Sequence, residues 1–345
     1  MDLSKYKNKG LTGLQNTGNS CYINSCLQLL SNLYELNELM DNLENKNVNN
    51  NENGIILSEW NSLRKMMWKE NCIVAPLRFC KVVQFVSKKK NNELFSGFDQ
   101  NDMSEFLFFI IDCFHNALKR EVNMNITGKV KNSLDKLAMS CYEMMRKMYK
   151  KEYSEILDIF YGISVTIIKS KENDNEILSN SCEPFSILTL PIPDSKACTI
   201  YDCLELYTKE EELSGENAWF NDKTNQNEDV KKGVKFWNLP KILILGLNRY
   251  NNSNRKLQCL VTSPLDNLQL DKYVIGYGGI ENNLYELIGT ANHSGNVNGG
   301  HYTANIKNLN GKWYNFNDQI INEISEDKVI NVYTYYLFYR KKNKN

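Results

Sequence analysis

A cysteine just inside the expected start of a helix, and a histidine that follows two glycines, are the residues of this 345-residue chain best placed to make and break covalent bonds. The cysteine lies in Gly10-Leu11-Thr12-Gly13-Leu14-Gln15-Asn16-Thr17-Gly18-Asn19-Ser20-Cys21-Tyr22. Its glycines and asparagines predict a loop that feeds directly into a helix, capped by Asn19 or Ser20. Cys21 then sits in the first turn, where unpaired backbone N–H groups and the positive dipole end favour thiolate. Asn16, on the same loop, offers an uncharged amide donor suited to the oxyanion of a tetrahedral intermediate. Taken alone, Cys21 reads more simply as a small residue packed at a helix start.

The histidine lies in Gly299-Gly300-His301-Tyr302-Thr303-Ala304, preceded by Asn292-His293-Ser294-Gly295 and followed by Trp313-Tyr314-Asn315-Phe316-Asn317-Asp318. The glycine pair lets another backbone approach closely, which suits a substrate lying beside His301. A return strand ending in Asn317-Asp318 carries side chains able to orient an imidazole on the neighbouring strand. A Cys, His and Asn or Asp set is the arrangement of papain-like proteases.

These groups must be held by a sizeable folded scaffold. Hydrophobic residues make up 42% of the chain, enough to bury a core and to exclude a disordered protein. Lys and Arg number 41 and Asp and Glu 41, so no basic surplus points to a nucleic-acid surface. No apolar run approaches the roughly 18 residues that span a bilayer. Met1 to Gly10 has no apolar signal-like core, so an intracellular protein of the cytoplasm or nucleus is expected, with its ten cysteines as thiols. None of them stands as C-x-x-C, and the three histidines are scattered, so no metal site is expected.

Helical patterning covers Ser20 to about Leu43, Glu59 to Trp68, Arg78 to Ser87 and Asp102 to Arg120. An asparagine-rich stretch, Asn45 to Gly54, is expected as an exposed loop. Asp102 followed by Glu105 resembles a capping box at the start of the last helix. After about Asp158 the composition favours strands: Ile163 to Lys169, Phe185 to Leu190, Val234 to Trp237, Lys241 to Arg249, Tyr285 to Ala291, Gly300 to Ile306, Lys312 to Phe316 and Tyr333 to Tyr339. Lys209 to Lys232 is expected as a hairpin or mobile loop. Helices first and strands later make an α+β fold.

Together these segments resemble the ubiquitin-specific proteases, the papain-like deubiquitinases. The two stretches above are similar to that family's Cys and His boxes. Between them, Phe95-Ser96-Gly97-Phe98-Asp99-Gln100-Asn101-Asp102-Met103-Ser104-Glu105-Phe106-Leu107 resembles its glutamine-aspartate box. Leu239-Pro240-Lys241-Ile242-Leu243-Ile244-Leu245 and Tyr336-Leu337-Phe338-Tyr339 resemble two of its strands. Five matches in the family's order are far more specific than any one. The resemblance implies a hand-like single domain over 10–341, with a helical thumb (about 10–157), β fingers (about 158–235) and a β palm (about 236–341), then a basic tail at 342–345. It implies Cys21 as nucleophile, His301 as general base, Asn317 orienting His301, Asp318 assisting or substituting, and Asn16 as oxyanion donor. It places Asp102 and Glu105 against the arginines of ubiquitin's tail, and His293 and Tyr302 along the slot for its last two glycines. The bland readings are a helix cap for Asp102 and Glu105, a polar turn for His293 and core packing for Tyr302.

The chain departs from the family in the fingers. Many members bind zinc there through two C-x-x-C pairs, which would fall within Ile168 to Leu178 and near Asn221 and Thr224. Neither place holds cysteine, so no zinc is expected and no cofactor is required. The implied activity is hydrolysis after the terminal glycine of ubiquitin. The alternatives are a protease for a ubiquitin-like modifier and an inert ubiquitin-binding module.

Overall fold

The computed structural model describes residues 3–43, 46–173, 176–251, 253, 255–277, 283–296 and 299–342. The expected tail at 342–345 therefore lies outside them except for Lys342, as does residue 45 of the asparagine-rich stretch and part of 168–178.

Among the described residues eight helices form: α1 (Cys21–Ser31), α2 (Tyr34–Asp41), α3 (Glu52–Lys69), α4 (Leu77–Lys89), α5 (Met103–Leu118), α6 (Ser133–Glu152), α7 (Glu155–Phe160) and α8 (Ile200–Thr208). The stretch expected as one helix from Ser20 is two. Asn37 Nδ2 and Trp68 Nε1 both donate to the Ser31 carbonyl, at 2.7 and 3.0 Å, so the last turn of α1 is satisfied from outside. The asparagine-rich stretch is irregular only up to Asn51. That residue caps α3 through its side chain, accepting from the backbone of Asn53 and Gly54.

An eight-stranded sheet forms the other half of the core. Its strands run in the spatial order Ile320–Ile324, Trp313–Asn317, Gly299–Lys307, Leu284–Asn296, Thr334–Lys341, Ile242–Asn248 and Ile187–Pro191, with Leu268–Gln269 beside Leu284–Asn296. Pairing is antiparallel except between Ile242–Asn248 and Ile187–Pro191. A smaller sheet joins Ile177–Phe185, Gly162–Ser170, Val230–Asn238 and Glu211–Leu213. The segment expected as a hairpin or loop holds that last strand and a hairpin of Trp219–Asn221 with Gln226–Glu228. Its turn, near where the family's zinc ligands would lie, is tied by Asn221 Nδ2 and Thr224 Oγ1 donating to Glu228 Oε1.

Every residue of α1 is buried, because the helix is clasped between α5 and the large sheet. That is what carries Cys21 to the sheet carrying His301. Behind it, Trp60, Phe79 and Phe114 pack with ring centroids 6.1–6.2 Å apart and anchor α3, α4 and α5 to one another.

Candidate active site

Cys21 begins α1, and the loop before it turns sharply. Gly18 has φ +110° and Asn19 φ +49°, a left-handed pair that glycine and asparagine tolerate best. The Asn16 carboxamide oxygen accepts from the backbone of Gly18 (3.0 Å) and Ser20 (3.3 Å), and from Ser20 Oγ (3.2 Å). With its oxygen committed, the Asn16 NH2 is aimed the other way. Ser20 occupies the cap position, but its hydroxyl accepts from Thr17 N instead of capping α1.

The Cys21 thiol is only 4% exposed, and burial pushes its pKa up, with the Asp318 charge adding to the rise. The backbone of Tyr302, the residue after His301, works against this by favouring the charged form. The N–H groups of Cys21 and Tyr22 at the helix start also favour the charged form, in the direction the sequence predicts, but desolvation outweighs them.

His301 and Asn317 come together across neighbouring antiparallel strands, with His301 Nε2 and Asn317 Oδ1 at 2.7 Å. A carboxamide oxygen only accepts, so Nε2 carries the hydrogen and Nδ1 is left as the basic nitrogen. Asp318 does something different. It follows the strand in a left-handed conformation, φ +52°, and its backbone oxygen accepts from Leu14 N at 3.0 Å. Its carboxylate accepts from Asn16 Nδ2 (2.9 Å) and Asn24 Nδ2 (2.7 Å). The acid is therefore bound to the loop carrying Asn16. Asn24, three residues after Cys21 and 2% exposed, was missed from sequence; an asparagine within so apolar a helix was the available signal.

Cys21, Gln100, Asp102, His293, Gly300 and Tyr302 line a cleft of about 250 Å³. Asp102 caps α5 through Ser104 N (2.7 Å) and also accepts from Tyr302 OH (3.1 Å), so capping and cleft-lining coexist. Glu105 is exposed and does not complete a capping box. It lines an adjacent cleft with Phe108 and Asp112, and burial followed by the Asp102 charge raises its pKa. Tyr302 is buried and stacks on His293 with centroids 4.5 Å apart. Burial, then the Asp102 charge, drives the Tyr302 pKa upward. His293 is buried too, and burial followed by the Lys256 charge pulls its pKa down to about 4. Gln100 Oε1 accepts from Gly300 N at 2.9 Å and joins the helical side to the sheet. Sequence reasoning had assigned no role to Gln100 or Lys256. Among the described residues no cluster of His, Cys, Asp or Glu could hold a metal ion.

A helical layer bringing a cysteine to a histidine–asparagine pair on an antiparallel sheet is the papain-like cysteine-protease arrangement. The chain belongs to the ubiquitin carboxyl-terminal hydrolase family, whose model matches residues 12–339. It is 32% identical over 344 residues to human ubiquitin carboxyl-terminal hydrolase 2, covering 96% of this chain and 55% of that protein. The chicken protein of the same name is 33% identical, with 96% of this chain and 93% of that protein covered. The Drosophila melanogaster hydrolase Usp2 is 30% identical over 97% of this chain and 35% of its own length. The chain thus spans about a third to a half of several relatives it matches. Among solved structures, the SAGA Ubp8/Sgf11/Sus1/Sgf73 DUB module bound to ubiquitin aldehyde aligns with TM-score 0.76 at 24% identity, over 99% of this chain and 72% of that one.

Proposed function

We propose that this chain is a thiol-dependent deubiquitinase that hydrolyses the peptide or isopeptide bond after the C-terminal glycine of ubiquitin. The observation that carries the reading is the 2.7 Å His301–Asn317 contact, which points the basic Nδ1 away from the carboxamide on the sheet that also brings Tyr302 to Cys21. Cys21 gives its proton to His301 as sulfur attacks the carbonyl carbon. Asn16 Nδ2 has one hydrogen on Asp318 and a second to offer the oxyanion. His301 then protonates the leaving amine, and water deprotonated by His301 releases ubiquitin from the thioester. Asp102 at the cap of α5 and Glu105 in its first turn supply negative charge to two adjacent clefts, for a basic tail. Gly299 and Gly300, where a Cβ would run into Gln100 Oε1 and His293 Nε2, leave bare backbone along the cleft, which suits a tail of glycines. Balanced charge leaves nucleic acid and membrane outside this reading, and a reducing compartment, cytoplasm or nucleus, fits a thiol enzyme.

The test is a ubiquitin carrying a C-terminal electrophile. Labelling at Cys21 that disappears in Cys21→Ala is expected. Folded protein that resists labelling would make it an inert binder. Faster turnover of a ubiquitin-like modifier than of ubiquitin would reassign the substrate.

A further inference from the structure

Lys256 has no part in the chemistry above, yet its ammonium is committed to the cleft wall. It follows the strand Ile242–Asn248 and pairs back with Tyr250 in an isolated bridge. Its Nζ lies 3.1 Å from His293 Nδ1, 2.6 Å from the His293 carbonyl and 3.4 Å from the Gly295 carbonyl. An ammonium has three hydrogens and no lone pair, so these three contacts use it fully. A ring nitrogen facing an ammonium must accept, which leaves the imidazole hydrogen on Nε2. That nitrogen sits directly over Gly300, where a Cβ would come within 2.2 Å of it. The groups facing His293 are Lys256, with Arg249 behind it, Asp102, His301, Tyr302 and Tyr335.

We propose that Lys256 is a positioning residue: it locks His293 in the Nε2–H tautomer and turns that N–H toward the cleft, as a donor to a main-chain carbonyl of the glycine tail. The substrate half rests on the deubiquitinase reading; the tautomer half does not. Only three histidines exist, so selective ¹⁵N-histidine labelling resolves each ring. In the wild type, His293 is expected with a protonated Nε2 and a bare Nδ1 between pH 5 and 8. In Lys256→Met that preference weakens and the ring titrates at higher pH. For a ubiquitin C-terminal amide, Lys256→Met should raise KM about tenfold, the worth of one hydrogen bond, while kcat changes less than about threefold. Lys256→Arg, which keeps the charge and donors, should restore most of both. A wild-type His293 with Nδ1 protonated overturns the proposal even if Lys256→Met fails to fold. So does an unchanged KM in folded Lys256→Met. Absence of any hydrolysis by the wild type would instead overturn the deubiquitinase reading and leave the tautomer result standing.

A separate observation concerns the smaller sheet. Cys141 on α6 and Cys182 on the strand Ile177–Phe185 place their sulfurs 3.3 Å apart, with Cys141 buried and Cys182 part-exposed. Burial is not the leading influence on Cys182; the Cys141 thiol donates to it and lowers its pKa. The geometry points to a peroxide-sensitive dithiol that staples α6 to this sheet. The Cys182 thiolate attacks hydrogen peroxide, forming an S–O bond and breaking O–O with loss of hydroxide. The Cys141 sulfur then displaces the hydroxyl from the sulfenic acid, its proton leaving in water, and the disulfide forms. Two thiols are oxidised and one peroxide becomes two waters.

Peroxide treatment of Cys21→Ala, then alkylation and peptide mapping without reductant, should yield a dithiothreitol-reversible 141–182 cross-link. Tm should rise by a few degrees, and not in Cys182→Ser. Both thiols alkylated after peroxide, or a cross-link confined to Cys198, Cys203 and Cys259, where the Cys198 sulfur lies 3.9 Å from that of Cys203 and 3.6 Å from that of Cys259, would overturn it.

Discussion

Asp318→Asn separates the two duties of the residues that end the strand Trp313–Asn317. The replacement keeps the shape and suits the left-handed backbone at φ +52°, so it leaves the turn intact. It removes one of two acceptors, however, and turns an NH2 toward Asn16 or Asn24, both of which donate to the wild-type carboxylate at 2.9 and 2.7 Å. A hydrogen bond to a charged group is worth about 1.5–3 kcal/mol, so releasing Asn16 lowers kcat by about 10- to 100-fold. Complete loss of an oxyanion donor sets a ceiling of about 10³-fold.

The same change removes a negative charge that raises the Cys21 pKa. With that charge gone the thiolate is easier to form, so the pH midpoint for iodoacetamide alkylation of Cys21 moves down. At neutral pH alkylation is then faster. Hydrolysis and alkylation thus move in opposite directions, a pattern general disruption does not produce. Turnover of a fluorogenic ubiquitin amide and the pH profile of alkylation measure the two. If both rates fall together, or hydrolysis is unaffected, Asp318 does not act through Asn16.

Asn317→Ala should cut kcat by about 10²-fold or more with little change in KM, because His301 loses the acceptor that sets its tautomer; a smaller effect than that of Asp318→Asn would reverse the assignment of the orienting residue. Asp102→Asn preserves the cap on α5, so Tm should hold while KM for ubiquitin substrates rises several-fold; an unchanged KM removes Asp102 from the substrate tail. The His293 pKa lies near 4 against an ordinary 6.5, so its contribution is present above pH 6.5 and is lost as pH falls toward 4. Denaturant midpoints should drop across that window and flatten in His293→Gln. Arg249 is fully buried and donates to the carbonyls of Thr334, Leu257 and Cys259; Arg249→Met should cost about 3 kcal/mol in urea unfolding, by stranding those acceptors.

Local chemistry was legible in the residues themselves. Six strands of the large sheet follow from runs of β-branched and aromatic residues, and α5 from its spacing and the Asp102 cap, whereas Ile320–Ile324 and Leu268–Gln269 were not marked out. The break between α1 and α2 was not, because its partners Asn37 and Trp68 reach Ser31 through the tertiary packing. Nor was α6 marked out, since its apolar face is completed only by the smaller sheet.

Residue types and order along the chain supplied Cys21, His301, Asn317 and Asn16 as one chemical set. Which groups touch was decided by packing. Burial raises the Cys21 pKa against the pull of the helix end, Asp318 turns to Asn16 and Asn24, and Lys256 reaches His293 from a separate segment. A sequence states each side chain's intrinsic chemistry; solvent exclusion and contacts between distant segments exist only once the chain has closed on itself.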